Sequence, residues 1–448
     1  MGPRTSIGMS NGAEQHRPSA DAYRVPRERL TTRLVESRER LVLVVAPAGY
    51  GKTTLAVQWS ELDDRRFAWV ALGAGMGDPP PLWSSIAESV GRAEPSLAPT
   101  AERLEPWLGA AEPSTMAVQV AEALEASGRE LVIVLDDYHF IKESASHASI
   151  ASFLELMPSL VQLVVVSRQD PPLPVGRLRA NGDLLELRAD ELALPLDEVD
   201  ALMNATLRLD LTPEALALLH ARTEGWPALV ALAGRSLRDR NHPEGFLERF
   251  GGSNRFVVDY LTEVVFDELD SDRRSFLLGT SILERMSGDL CDAVLDREGS
   301  TQLLSELEKE DLFLSPLDDR REWYRYHSIF REFLYRELML RSPERVPELR
   351  RRAFDWLADE RLVDDACHQA LAAREYGQAA RLVSANWLSL AGPEAPGTIL
   401  GWIDEFPKDA LRADAPLCVA RAWLLGLAGD HPGSLHASRD ALAAEWSG

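Results

Sequence analysis

Between Leu41 and about Leu187, short apolar runs alternate with stretches of helical period. The runs are Leu41–Ala46, Phe67–Leu72, Leu131–Leu135, Leu163–Val166 and Leu184–Leu187. Each has the length of a strand and is rich in Val, Leu or Ile, as strands covered on both faces must be. Between them, Thr115–Ala126 and Ala148–Met157 repeat their apolar positions at helical spacing. Strand and helix in alternation predict a parallel sheet with helices on both faces. Beyond Asp197 the strands stop. Thr212-Pro213-Glu214 is a helix start, with a Thr cap, Pro at the first position and an acid near the positive helix end. Residues 255–340 read as short helices followed by a hairpin, with strands Leu312–Leu317 and Glu322–Tyr326 joined at Asp318-Asp319-Arg320, and a helix from Ser328. That is the pattern of a winged helix. From Pro343 only helical periodicity remains, in Ala-rich pieces such as Pro347–Asp359, Val363–Ala373, Tyr376–Trp387 and Pro416–Ala428. Such pieces packing in series suggest the start of an α-solenoid, a TPR-like helical-repeat region.

The expected organisation is therefore a disordered tail over residues 1–20, a nucleotide-binding domain over 21–205, a helical lid over 206–250, a winged helix over 251–342 and an incomplete helical-repeat region over 343–448. At 448 residues, about three cores are expected. The formal net charge of −23 would repel a phosphate backbone and argues against generic nucleic-acid binding by these residues as a whole. Three widely spaced cysteines, Cys291, Cys367 and Cys418, fit a reduced, cytoplasmic setting and no metal-ligand spacing. No apolar run approaches the roughly 18 residues of a membrane span, so no membrane partner is expected.

The chemistry concentrates where strands end. Leu41–Val45 leads into Ala46-Pro47-Ala48-Gly49-Tyr50-Gly51-Lys52-Thr53-Thr54, and a helix follows. This is a phosphate-cradling P-loop with Ala46 in place of its first Gly. Small residues let successive backbone N–H groups point at phosphate oxygens, at a helix N-terminus whose dipole favours anions. Lys52 would neutralise β- and γ-phosphate charge, and the Thr53 hydroxyl would ligate Mg²⁺. Leu131–Leu135 ends in Asp136-Asp137. Two carboxylates there belong at the C-terminal edge of the sheet, where ligands bind in this architecture. Asp136 would hold Mg²⁺ and Asp137 would orient the attacking water. Leu163–Val166 ends in Ser167-Arg168, a cation placed to sense the γ-phosphate. Gly225-Trp226-Pro227 is a turn signal only, and a lone His327 at the hairpin end is more often structural than functional.

In chain order, Val25-Pro26-Arg27-Glu28-Arg29-Leu30, the P-loop, Asp136-Asp137-Tyr138-His139, Ser167-Arg168-Gln169-Asp170-Pro171-Pro172-Leu173-Pro174, Glu224-Gly225-Trp226-Pro227-Ala228 and Tyr326-His327-Ser328-Ile329-Phe330-Arg331-Glu332-Phe333-Leu334 resemble one family. It is that of the ATP-dependent LuxR-type transcriptional regulators of the MalT-like type, within the signal-transduction ATPases with numerous domains (STAND). The resemblance covers about residues 24–340. It implies a cytoplasmic ATP/ADP switch that rests with ADP enclosed by P-loop domain, lid and winged helix. An inducer on the helical repeats, with ATP replacing ADP, would open it and let it self-associate. By position, Pro227 would pack on adenine, Val25 and Arg27 would line the base pocket, and His327 would reach the ADP β-phosphate. DNA would be met only through a C-terminal helix-turn-helix domain absent from this chain. Turnover would be that of a slow regulatory ATPase. Other readings are another member of the STAND class, such as a defence-type sensor, or a P-loop small-molecule kinase or hydrolase, for which no acceptor-binding cluster is evident. The acidic loop usual after Trp69 is replaced here by Gly73–Gly77.

Overall fold

The computed structural model describes residues 25–73, 76–100, 113–238, 243–310, 312–390 and 395–443. The expected tail over 1–20 and two residues of the Gly73–Gly77 loop lie outside them. The chain forms two compact units, one of residues 1–260 with 307–313, the other of 261–306 with 314–448.

The first unit is built on a parallel sheet. In chain order it carries α1 (Glu28–Glu36), β1 (Leu41–Val45), α2 (Lys52–Leu62), β2 (Arg66–Ala71), α3 (Pro79–Ala93), α4 (Pro113–Ser127), β3 (Leu131–Asp136), α5 (Ser144–Leu156), β4 (Val161–Ser167), α6 (Val175–Asn181) and β5 (Leu184–Leu187). The strand order is β2-β3-β4-β1-β5, and every pairing is parallel. On one face, Leu41, Leu43, Val45, Ile133, Leu135, Leu163 and Val165 pack with Trp83 and Ile86 of α3, Val120 of α4 and Phe153 of α5. The alternate residues Val42, Val44, Val132, Val134, Val164 and Val166 are buried as deeply, so both faces are covered. Because all strands run the same way, the loops after β1, β3 and β4 share one edge. The strand ending at Arg168 lies between the strand that enters the P-loop and the one that ends in the carboxylates.

Helices follow. Thr212 caps Pro213–Thr223 by accepting from the Ala215 N–H at 3.2 Å, with Pro213 in the first turn as expected. Helix Pro227–Leu237 starts immediately after Gly225-Trp226, and Arg255–Val264 follows.

In the second unit, helices Ser271–Thr280, Gly288–Leu295, Ser300–Lys309 and Ser328–Arg341 accompany a hairpin of β6 (Leu314–Pro316) and β7 (Tyr324–Tyr326). The strands are shorter than expected for two local reasons. Phe313 has a positive φ of 54°, and the Asp318 carboxylate accepts from the N–H groups of Arg320, Glu322 and Trp323, which turns the chain early. Beyond Pro343 the unit is helical, and its core joins Cys367, Val383, Trp402, Ile403, Phe406, Leu417 and Leu424. The Arg285 guanidinium grips the Asp365 carboxylate at 2.6 Å, and Gln369 donates to the Ile282 carbonyl at 3.1 Å, tying the winged helix to the first helical pair. Cys291, Cys367 and Cys418 are buried and not disulfide-bonded. Among the described residues no helix is long and apolar enough to cross a membrane.

Candidate functional site

The loop after β1 turns sharply because Gly49 and Gly51 adopt positive φ of 80° and 74°, and Gly51 delivers the chain into α2. Lys52, the first residue of that helix, is buried. Its ammonium donates to the carbonyls of Ala46 at 2.7 Å and Pro47 at 2.9 Å, so the cation is held over the loop. One residue on, the Thr53 hydroxyl donates to Asp136 Oδ1 at 3.1 Å. The residue types expected for Mg²⁺ thus meet across the β1 and β3 loops. Burial and the neighbouring Asp137 charge push the Asp136 carboxyl up to about 6. Thr53 and Asp136 together are a hydroxyl and a carboxylate of the kind Mg²⁺ accepts.

Asp137 adopts a left-handed φ of 57°, and its half-exposed carboxylate lies 3.9 Å from His139 Nδ1. Burial, then the charges of Arg168, Lys52 and Lys142, lower His139 to about 4, so this imidazole is neutral at physiological pH. Arg168 is set by the end of β4. The Ser167 hydroxyl donates to the Gln169 carbonyl at 2.6 Å, and Ala46 N–H meets the Ser167 carbonyl at 3.4 Å. Lys52, Asp136, Asp137 and Arg168 are therefore brought to one sheet edge.

Trp226, which looked like part of a turn, is fully buried. It stacks on Tyr50 of the P-loop at 5.9 Å between ring centroids and lies 4.3 Å from Phe313. The Gly49 carbonyl accepts from Ala228 N–H at 3.1 Å. Half-buried Pro227 thus opens a helix docked on the loop. A Cβ on Gly49 would lie 2.3 Å from the Tyr260 hydroxyl, 2.7 Å from Ala228 Cβ and 2.8 Å from Trp226 Nε1. One on Gly51 would meet nothing within 4 Å. Gly49→Ala is accordingly expected to destabilise the protein by about 2–5 kcal/mol, from left-handed strain plus overpacking. Gly51→Ala should cost only the strain, about 1–2 kcal/mol. Denaturant midpoints of the two variants check the order, and equal costs would contradict it.

Val25 and Arg27 are both buried, and Gln58 of α2 secures them. Its side-chain amide donates to the Val25 carbonyl at 2.7 Å and accepts from Arg27 N–H at 3.0 Å. The Arg27 guanidinium binds Glu198 at 2.8 Å and the Leu192 carbonyl at 2.9 Å, so it holds framework together. Thr54 is exposed on α2. His327 belongs to the second unit, where it is buried at the start of helix Ser328–Arg341. Gln58, His139 and Tyr260 were not singled out as site residues. A Gln on the buried side of α2 between Leu55 and Trp59 was the available signal for the first; for Tyr260 none is local.

Residues 35–173 match the family described as AAA domain, and residues 261–346 match the MalT winged helix domain. The chain is 32% identical over 416 residues to the serine/threonine-protein kinase PknK of Mycobacterium tuberculosis H37Rv, covering 92% of this chain and 38% of that protein. It is 30% identical over 415 residues to the HTH-type transcriptional regulator MalT of Cronobacter sakazakii, covering 91% and 46%. The chain thus spans less than half the length of these curated relatives. Among solved structures it is similar to a STAND protein with a tetratricopeptide repeat sensor from Pyrococcus horikoshii, at 18% identity and a TM-score of 0.38, covering 95% of this chain and 59% of that one. The AAA match implies nucleotide binding.

Proposed function

Given that the chain belongs to the MalT-like P-loop ATPases, we propose that it is an ATP/ADP-operated switch that rests with ADP and is opened by an inducer and ATP to self-associate. The single observation that carries the reading is the pairing of Thr53 with Asp136 beside a Lys52 ammonium held over the P-loop.

In this reading the backbone N–H groups of Pro47-Ala48-Gly49-Tyr50-Gly51-Lys52-Thr53-Thr54 that remain available, Pro47 having none, cradle the phosphates at the start of α2. Lys52 swings from carbonyl to phosphate oxygens, exchanging neutral acceptors for charged ones. Thr53 and Asp136 would hold Mg²⁺, which would neutralise phosphate charge when bound. Asp137 orients the water and Arg168 senses the γ-phosphate. Pro227 packs on adenine, and Val25 with Arg27 shapes the base pocket through the segment that Gln58 pins. The lid over 206–250, the winged helix over 251–342 and the helical repeats over 343–448 are the proposed moving parts, with the inducer acting on the last. The same stretch is shared with proteins named for different outputs, a kinase and an HTH-type regulator. That supports placing the switch here and any DNA contact outside these residues.

His327 tests the resting state. If its imidazole donates to an ADP β-phosphate oxygen, His327→Ala should weaken ADP by roughly tenfold to a hundredfold, the value of a bond of about 1.5–3 kcal/mol to a charged group. ATP should lose less, because the opened form no longer needs that clamp. Calorimetry with both nucleotides decides: equal losses, or none, would remove His327 from the mechanism and leave it a packing residue.

A further inference from the structure

Tyr260 lies on helix Arg255–Val264 and belongs to the unit that carries the P-loop. Its hydroxyl lies against Gly49, so close that a Cβ there would be 2.3 Å away. Trp226 meets the Tyr260 ring edge-on, with centroids 6.1 Å apart and planes at 66°, and Trp226 is in turn stacked on Tyr50. The ring is thus fixed from two sides. Among the described residues the Tyr260 hydroxyl has no hydrogen-bond partner, although the ring is largely covered. Burial pushes its pKa up to about 12, against the field of Arg168, so at neutral pH it is a proton-bearing donor. Gly49 is also a residue whose N–H belongs to the phosphate cradle.

We propose that the Tyr260 hydroxyl donates a hydrogen bond to the phosphate chain of a nucleoside di- or triphosphate held on the Ala46–Thr54 loop, which makes helix Arg255–Val264 part of the phosphate site. This rests on the nucleotide-switch reading. It adds a contact that no sequence motif marks, from a helix outside the sheet.

The test is Tyr260→Phe in the full chain, titrated calorimetrically with ADP, ATP and AMP. The ring packing survives and only the oxygen is lost. ADP should weaken by roughly tenfold, as for a hydrogen bond to a charged acceptor, and ATP by less, because this helix lets go in the opened form, while AMP, which lacks a β-phosphate, is unchanged. The melting temperature without nucleotide should stay the same or rise, because the hydroxyl satisfies nothing in the protein. A merely structural role would instead lower it and leave the ADP-to-AMP ratio alone, which overturns the proposal. ADP binding that is lost in Lys52→Ala but intact in Tyr260→Phe overturns this contact alone. A wild type that binds no ADP overturns the contact and the P-loop reading together.

Discussion

Lys52→Ala is expected to abolish measurable binding of ADP and ATP. The ammonium sits at 2.7 and 2.9 Å from the Ala46 and Pro47 carbonyls and is buried by the loop it serves. Two phosphates in that cradle carry negative charge that the loop's N–H groups only partly offset. Removing the cation leaves buried charge uncompensated, an effect of about 3–5 kcal/mol, or roughly a hundredfold to several thousandfold in affinity. Without ligand the change should be mild. Ala is a good first-turn residue, and the two carbonyls lose a donor worth about 1 kcal/mol each. Calorimetry and a thermal melt therefore separate the two roles. Unchanged affinity would remove the P-loop assignment, whereas loss of the fold would make Lys52 structural.

Asp137→Asn should keep nucleotide binding and lose most hydrolysis. Among residues with a side chain Asn tolerates well the left-handed backbone Asp137 adopts, and it is nearly the same size, so the turn into Tyr138 survives. The Mg²⁺ pair of Thr53 and Asp136 is untouched. Only the carboxylate that would take or polarise a proton of water is gone, and such a group contributes roughly a hundredfold or more. His139, held neutral beside it, is no replacement acid or base of matched pKa. Single-turnover hydrolysis checks this, and wild-type turnover in the variant would move the base elsewhere.

The sheet was legible because strands covered on both faces must be continuously apolar. Four of its five strands begin within a residue of their apolar runs. β4 begins at Val161, two residues ahead of its run, because Gln162 interrupts the pattern. That amide is buried and satisfied sideways, donating to Ser37 Oγ at 2.8 Å and the Glu39 carbonyl at 2.7 Å and accepting from Arg65 at 3.1 Å. A polar residue with all its partners on neighbouring segments is invisible to a one-dimensional pattern. The same limit applies at the site. The placement of Lys52, Thr53, Asp136, Asp137 and Arg168 was readable because each stands at a strand end or in the loop and helix start that follow one, where the parallel sheet brings them to one edge. Trp226, just before a helix, and Tyr260, within one, lie beyond the sheet in sequence, and only tertiary packing against Gly49 and Tyr50 brings them in. Arg27 was tied to the base pocket by resemblance alone. Its ion pair with Glu198, 171 residues away, has no local trace.

Hydrogen exchange of the full chain with saturating ADP, and separately with ATP and Mg²⁺, tests the switch most directly. Both nucleotides should protect the loop from Ala46 to Thr54 and the segment Asp136–Tyr138. Helix Arg255–Val264 and the segment from Tyr324 to Phe330 should be more protected with ADP than with ATP, since those are the proposed parts that let go when the switch opens. Identical protection with the two nucleotides would contradict a switch, and no protection of the loop by either would contradict nucleotide binding itself.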